Sequence, residues 1–241
     1  LGTVPGGNEA PIQQAEQPLQ FVTPTEFVDL PSKGRYYPLE HPLHNVEMVE
    51  IRHMTAKDED TLTSRSLLKK GIAIDRFLQN ILVDGRVKIE DLLIGDKNAI
   101  IIASRITGYG AKYDASISCP SCISPVQFGF NLEECQAMSL NRHEDSDARA
   151  TDNGTFIIHV DKMDVDVEVR LLTSRDETYL LQIAEKKRKK KLPETTLTDQ
   201  LRRFIVSVNG HTDPGYIDSF IQHMPASDSR RIRMAYQDVI P

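Results

Sequence analysis

The chain has 241 residues, 39% of them hydrophobic and 27% charged, with a formal net charge of −6. This is globular composition, long enough for one large core or two small ones, and it excludes collagenous, low-complexity and wholly disordered chains. The acidic balance, the absence of tryptophan and an aromatic content of 6% speak against a general nucleic-acid binder, which carries positive charge and stacking side chains. The longest apolar run, residues 99–103, is far below the ~20 residues of a membrane span. No basic-then-apolar start announces a secretory signal. Three cysteines, an odd number in a long chain, point to a reducing compartment rather than a disulfide scaffold.

Seven of the 13 prolines fall in residues 1–45. Proline removes a backbone donor and fixes φ, so this stretch can be neither a long helix nor a central strand. Residues 1–26 read either as a disordered tail or as an extended arm that orders against a neighbouring subunit. Residues 47–54 alternate as a strand does. Thr55 with Asp58 resembles a capping box, opening a helix that runs to Lys70 and stops at Gly71. Ile74, Phe77, Leu78, Ile81 and Leu82 form a helical apolar stripe. A short helix over 89–94 follows, then one over 97–107 capped by Asp96 and ended by Gly108.

The period then changes from helical to alternating. Tyr113, Ala115, Ile117 and Cys119 on one side, and Val126, Phe128 and Phe130 on the other, predict a hairpin around Cys119-Pro-Ser-Cys122. After a polar stretch, 155–160 and 165–172 predict a second hairpin, with Val165, Val167, Val169 and Leu171 on its buried face. Ser174 is positioned to cap a helix that runs into the basic residues 186–191. Thr196 and Asp199 open another, whose stripe of Leu197, Leu201, Phe204, Ile205 and Val208 runs to Asn209-Gly210. Asp213-Pro214 starts a further helix, broken by Pro225. A last one carries Ile232, Tyr236 and Val239. No repeat with a period of 20–50 residues is apparent.

The expected class is α+β. It comprises the arm (1–26), a strand plus helical unit (27–110), antiparallel hairpins with the cysteine tip (111–172) and C-terminal helices (173–241).

Cys119 and Cys122 are the candidate metal ligands. Two thiolates two residues apart on a hairpin tip can share a tetrahedral zinc. Cys135 is the candidate third ligand, with His143 or His159 as the fourth. Two other readings stand beside zinc: a redox pair, and plain thiols closing a turn. The basic run 186–191 is either a solvated helix end favoured by the macrodipole or a contact for an acidic partner. Asp58 with Asp60, and Asp164 with Asp166, read as a first helical turn and a wet strand face. No catalytic constellation and no phosphate-binding loop is found.

Several separated segments, in order, carry a resemblance. They are Leu30-Pro-Ser-Lys-Gly-Arg-Tyr-Tyr-Pro38, Glu40-His-Pro-Leu43, the stretch from Ile51 to Asp60, and Lys69-Lys-Gly-Ile-Ala-Ile-Asp-Arg76. Asp91-Leu-Leu-Ile-Gly-Asp-Lys-Asn-Ala99, Ile106-Thr-Gly-Tyr-Gly110 and Cys119-Pro-Ser-Cys122 complete the set. Over residues 27–122 the chain resembles the baseplate hub proteins of T-even-like contractile-tailed bacteriophages. The resemblance implies a structural or assembly component of the tail baseplate, present in several copies of a symmetric assembly. It further implies a protein made in the host cytoplasm, without enzymatic activity, whose partners are other tail and baseplate proteins. An assembly chaperone of the hub, absent from the finished particle, is the alternative. Members often carry Gly after the second cysteine, where this chain has Ile123.

Overall fold

The computed structural model describes residues 21–134 and 147–240. The fold is α+β, with strands that pair antiparallel throughout. Strands β1 (Thr25–Asp29) and β2 (Met48–Arg52) form the first hairpin, with Val28 opposite Val49. β1 begins inside the segment expected to be arm, while residues 1–20 lie outside the described part. The long connection between these strands folds back on itself through Gly34, at φ +71°. A Cβ there would collide with the backbone of Leu43 and Val46, so only glycine fits.

Helices α1 (Ala56–Thr63), α2 (Arg65–Lys70) and α3 (Ala73–Ile81) follow, then a 3-10 turn at Ile89–Asp91 and helix α4 (Ile94–Tyr109). The single helix expected over 55–70 is thus two, broken at Ser64, which takes an extended conformation. The stripe on α3 buries Phe77, Leu78, Ile81 and Leu82, but Ile74 remains 50% exposed. Asp96 does not cap α4. It sits in the first turn, fully buried, because the helix begins three residues earlier than expected and runs on past Gly108 to Tyr109, with Gly110 as its cap.

The second hairpin is β3 (Lys112–Ser118) and β4 (Pro125–Asn131), followed by a 3-10 turn at Leu132–Glu134. A four-stranded sheet then forms in the order β5 (Ala148–Ala150), β6 (Thr155–Val160), β7 (Val165–Arg170), β8 (Ile205–Val208). Between β7 and β8 lie α5 (Ser174–Lys189) and α6 (Thr196–Phe204); α7 (Pro214–His223) and α8 (Ala226–Val239) close the chain.

Strand β8 corrects the expectation of an all-helical C-terminal segment. The apolar spacing of Leu201, Phe204, Ile205 and Val208 fits a helix. The β-branched residues Ile205, Val206 and Val208 favour extended backbone, and the free edge of β7 gives them partners: Val169 faces Ile205 and Val167 faces Val208. Tertiary pairing overrides the helical period.

The two halves share a plan that spans more than a hundred residues. Glu50-Ile-Arg-His-Met-Thr-Ala-Lys-Asp-Glu59 recurs as Glu168-Val-Arg-Leu-Leu-Thr-Ser-Arg-Asp-Glu177. In each copy an arginine at the strand end donates twice to an aspartate in the first turn of the next helix. Arg52 reaches Asp58 at 2.6 and 2.9 Å, and Arg170 reaches Asp176 at 2.6 and 3.0 Å. The same aspartates accept the N–H and hydroxyl of Thr55 and Thr173. The bridge between Ile51 and Leu82 matches the pairing of Val169 with Ile205. The last helix of each half then buries an aspartate at its third position and an isoleucine four residues on: Asp96 and Ile100, Asp228 and Ile232. Each aspartate accepts a backbone N–H from the loop joining its half's paired strands, Ser32 at 3.0 Å and Met163 at 3.1 Å.

The halves join where 92–94 meets 172–174. Ser174 N–H donates to Leu92 at 2.8 Å and Ile94 N–H to Leu172 at 3.2 Å. Lys97 is buried at this joint, donating to the Ser174 hydroxyl at 2.7 Å and pairing with Asp75 at 2.8 Å. Arg175 pairs with Glu90 and Asp91 across the same seam. One continuous apolar core runs through both halves.

Candidate docking surface and the cysteine turn

Hairpin β3–β4 departs from the rule that a sheet buries its apolar face. Its register sets Tyr113 opposite Phe130, Ala115 opposite Phe128 and Ile117 opposite Val126, so all six side chains line one face. The five large ones are 42% to 52% exposed. Phe128 and Phe130 meet edge to face at 4.6 Å. Among the described residues nothing lies over this row. Its base is fastened to α4 by Arg105, whose guanidinium lies 5.0 Å from the ring centre of Tyr109 and 5.9 Å from that of Tyr113. Arg105 also donates to the Gly110 carbonyl at 2.8 Å. A two-stranded hairpin is marginal alone in water, and an apolar face this size on a protein surface marks a place of contact.

The cysteine turn closes the tip. Cys119 N–H donates to the Ser124 carbonyl at 3.0 Å, and Ile123 N–H to the Cys119 carbonyl at 2.8 Å. Ile123 stands at φ +61°, a strained position for a β-branched residue. The structure places Cys119 and Cys122 in the same turn. Cys122 is exposed. Hydrogen bonds from the Ser124 hydroxyl and N–H, then from Cys119, hold its thiol below the ordinary cysteine value. Cys135 and His143 lie outside the described residues. His159 sits on β6, bonded to Asp166 at 2.9 Å, and does not join the cysteines. Among the described residues no group of three or more His, Cys, Asp or Glu is placed to hold a metal.

The basic run falls at the C-terminal end of α5 and is partly committed. Lys187 pairs with Asp199 at 2.6 Å and also reaches the Thr195 hydroxyl, while Lys189 pairs with Glu185 at 2.7 Å. The Lys187 contacts tether α5 to α6 beside a groove lined by Leu180, Leu181, Ala184 and Gln200, while the Lys189 pair lies within α5. The acidic pairs do structural work. Asp58 is buried in its capping box, and Asp166 faces His159 on the wet side of the sheet.

Two buried charged residues, Asp96 and Lys97, escape sequence reading. Asp96 accepts from the Ser32 N–H and hydroxyl and from the Tyr37 hydroxyl, at 3.0, 2.6 and 2.8 Å. Their partners lie far away in sequence, so local pattern gives no sign of them. The recurrence of Arg-x-x-Thr-x-x-Asp is the one signal that could have revealed the shared plan of the two halves. No described helix is long and apolar enough to cross a membrane.

Buried carboxylates that pair within the fold, a tethered basic helix end and an uncovered apolar hairpin describe a protein that works through its surfaces. The chain belongs to the family described as T4 bacteriophage base plate protein, matched over residues 23–162, more than half its length. It is a structural protein of the phage tail baseplate, and its partners are other tail proteins. No curated protein and no solved structure matches it.

Proposed function

We propose that the chain is a component of the baseplate hub of a contractile tail, present in several copies and acting by docking to neighbouring subunits, without catalysis. It is made in the host cytoplasm and carried into the virion during assembly. The uncovered face of β3–β4 carries this reading. Exposed aromatic and β-branched side chains on a projecting hairpin gain most from burial against a partner, at about 25 cal/mol per Å² of apolar area. Family membership supports the baseplate, and the resemblance of the ordered motifs of residues 27–122 is what favours the hub.

The test is the composition of purified virions. Mass spectrometry should find the chain at a fixed stoichiometry, and a cryo-EM map of the tail should place it at the centre of the baseplate. A chain required for assembly yet missing from virions would be the assembly chaperone instead. Density only at the baseplate periphery would keep the structural role and remove the hub.

Phe128→Ser provides the matching variant test. It should leave the isolated chain folded and its unfolding midpoint nearly unchanged, because the side chain is half exposed. Incorporation into particles should fall sharply. Normal incorporation would show that this face is not the docking surface.

A further inference from the structure

We propose that the groove between α5 and α6 is a second docking site, and that it takes an acidic amphipathic helix of a neighbouring tail protein. Three observations lead there. First, the two halves treat the same stretch of helix differently. In the first half the break at Ser64 separates α2 from α1, and α2 touches both α1 and α3. In the register of the recurrence Ser64 corresponds to Gln182, where α5 runs on unbroken to Lys189. Leu67 and Leu68 of α2 become Glu185 and Lys186. Among the described residues the second half therefore supplies no counterpart of α2, and a helix is the element that the shared plan sets against such a pair.

Second, the groove is apolar and open to a partner. Beyond its first turn α5 buries no residue. Leu180, Leu181 and Ala184 line one wall, Thr196 and Gln200 the other. Leu181 is more than half exposed, as are Leu192 in the connection and Leu197 on α6. A groove between two helices receives a third through apolar residues at i, i+3, i+4 and i+7. Third, the rim is basic. Among the described residues Lys186, Arg188, Lys190 and Lys191 are exposed and form no ion pair. Of the acidic residues along the groove, Asp199 is paired with Lys187 and Glu185 with Lys189, which leaves Glu194. On a chain of net charge −6 this is a local positive field, and it selects an acidic partner. Nucleic acid would meet the cations without filling the groove, and the Tyr179 ring on the same helix already lies under Arg203 at 4.8 Å. The site shares no residue with β3–β4 and does not depend on a place in the hub.

The experiment uses the full chain and a fluorescent, helix-forming peptide of about 15 residues, with leucines at helical spacing and glutamates elsewhere. Fluorescence anisotropy should show saturable binding that weakens steeply between about 0.05 and 0.5 M salt. Lys186→Glu combined with Arg188→Glu should weaken it by about tenfold or more. Leu181→Ser should weaken it several-fold, and both variants should keep the parent's far-UV spectrum and unfolding midpoint. Lys69→Glu with Lys70→Glu, the same charge change at the end of α2, should bind as the parent does. A peptide with glutamine for glutamate should fail, and so should one with its leucines at alternate positions. Absence of binding, equal binding of the alternating peptide, or equal loss in the Lys69 and Lys70 variant would each overturn the proposal. Duplex DNA that binds more tightly than the peptide, and is lost with Lys186 and Arg188, would make this a nucleic-acid site instead.

Discussion

At the scale of single residues, the chain uses one device twice. An arginine leaving a strand grips the aspartate that also caps the following helix, so strand end, turn and helix start are fixed by one carboxylate. The Arg52 hydrogen bonds, helped by those from Thr55, lower Asp58 to about 2. Burial pushes Asp176 up, but Arg170 and the Thr173 N–H outweigh it and hold the carboxyl well below its usual range; Arg203 adds a further contact at 2.5 Å. A carboxylate with a lowered folded value stabilises the fold fully above its unfolded value near 4, and that contribution is lost as pH falls through the folded value. Asp96 runs the other way. Burial raises it despite three donors, so its contribution is present in acid and fades as pH rises through its folded value. Asp58→Asn should therefore cost about 2–3 kcal/mol at neutral pH, the worth of the shift at ~1.36 kcal/mol per unit. Its difference from the parent should shrink below pH 4 and nearly vanish near pH 2. Urea titrations at several pH values would measure this, and a difference that does not change with pH would show that Arg52 and Asp58 are not coupled as ions.

At the scale of elements, legibility followed the reach of each interaction. Helix α3 was readable because its stripe is local, and the buried set of Phe77, Leu78, Ile81 and Leu82 matches it. Ile74 fits the period and still faces water, half exposed, while its neighbour Ala73 takes the buried place in the first turn. Phe77→Ala should destabilise by about 3–5 kcal/mol by leaving a cavity, whereas Ile74→Ala should change stability by less than about 0.5 kcal/mol. Equal effects, measured by chemical denaturation, would mean the helix is phased differently. The β3–β4 register was readable from alternation, but its exposure was not, since the pattern shows which side chains share a face and not what covers them. The capping box at Thr55 was legible, while the matching one at Thr173 was placed one residue late, at Ser174. Strand β8 was hidden because its apolar spacing serves a helix equally well. For the candidate site, Cys119 and Cys122 were singled out from spacing alone, while Asp96 depends on Tyr37 and Lys97 on Ser174, each more than fifty residues away.

At the scale of the whole molecule, the recurrence of strand, capped helix, pairing segment and aspartate-bearing helix makes the chain two related halves around one core. Hairpin β3–β4 projects from the connection between them. That arrangement separates tasks, with the paired halves forming a stiff body and the uncovered surface carried by an element that contributes little to the core. The stiffness depends on the seam. There, backbone hydrogen bonds between 92–94 and 172–174 are reinforced by Lys97, whose ammonium leaves water to meet Ser174 and Asp75. Removing a buried cation strands its partners, a larger loss than an exposed pair would give. Lys97→Met keeps most of the apolar stem, so it isolates the ammonium's contribution. The variant should lose about 2 kcal/mol, below the usual range for a buried pair because Asp75 is partly exposed. It should still unfold in a single transition, since the core is continuous across the seam. Urea unfolding followed by both far-UV circular dichroism and tyrosine fluorescence would measure this. Coincident curves with a lower midpoint and an unchanged slope are expected. Two separated transitions in the parent chain would mean the halves are independent bodies, and the seam would then be a contact between domains.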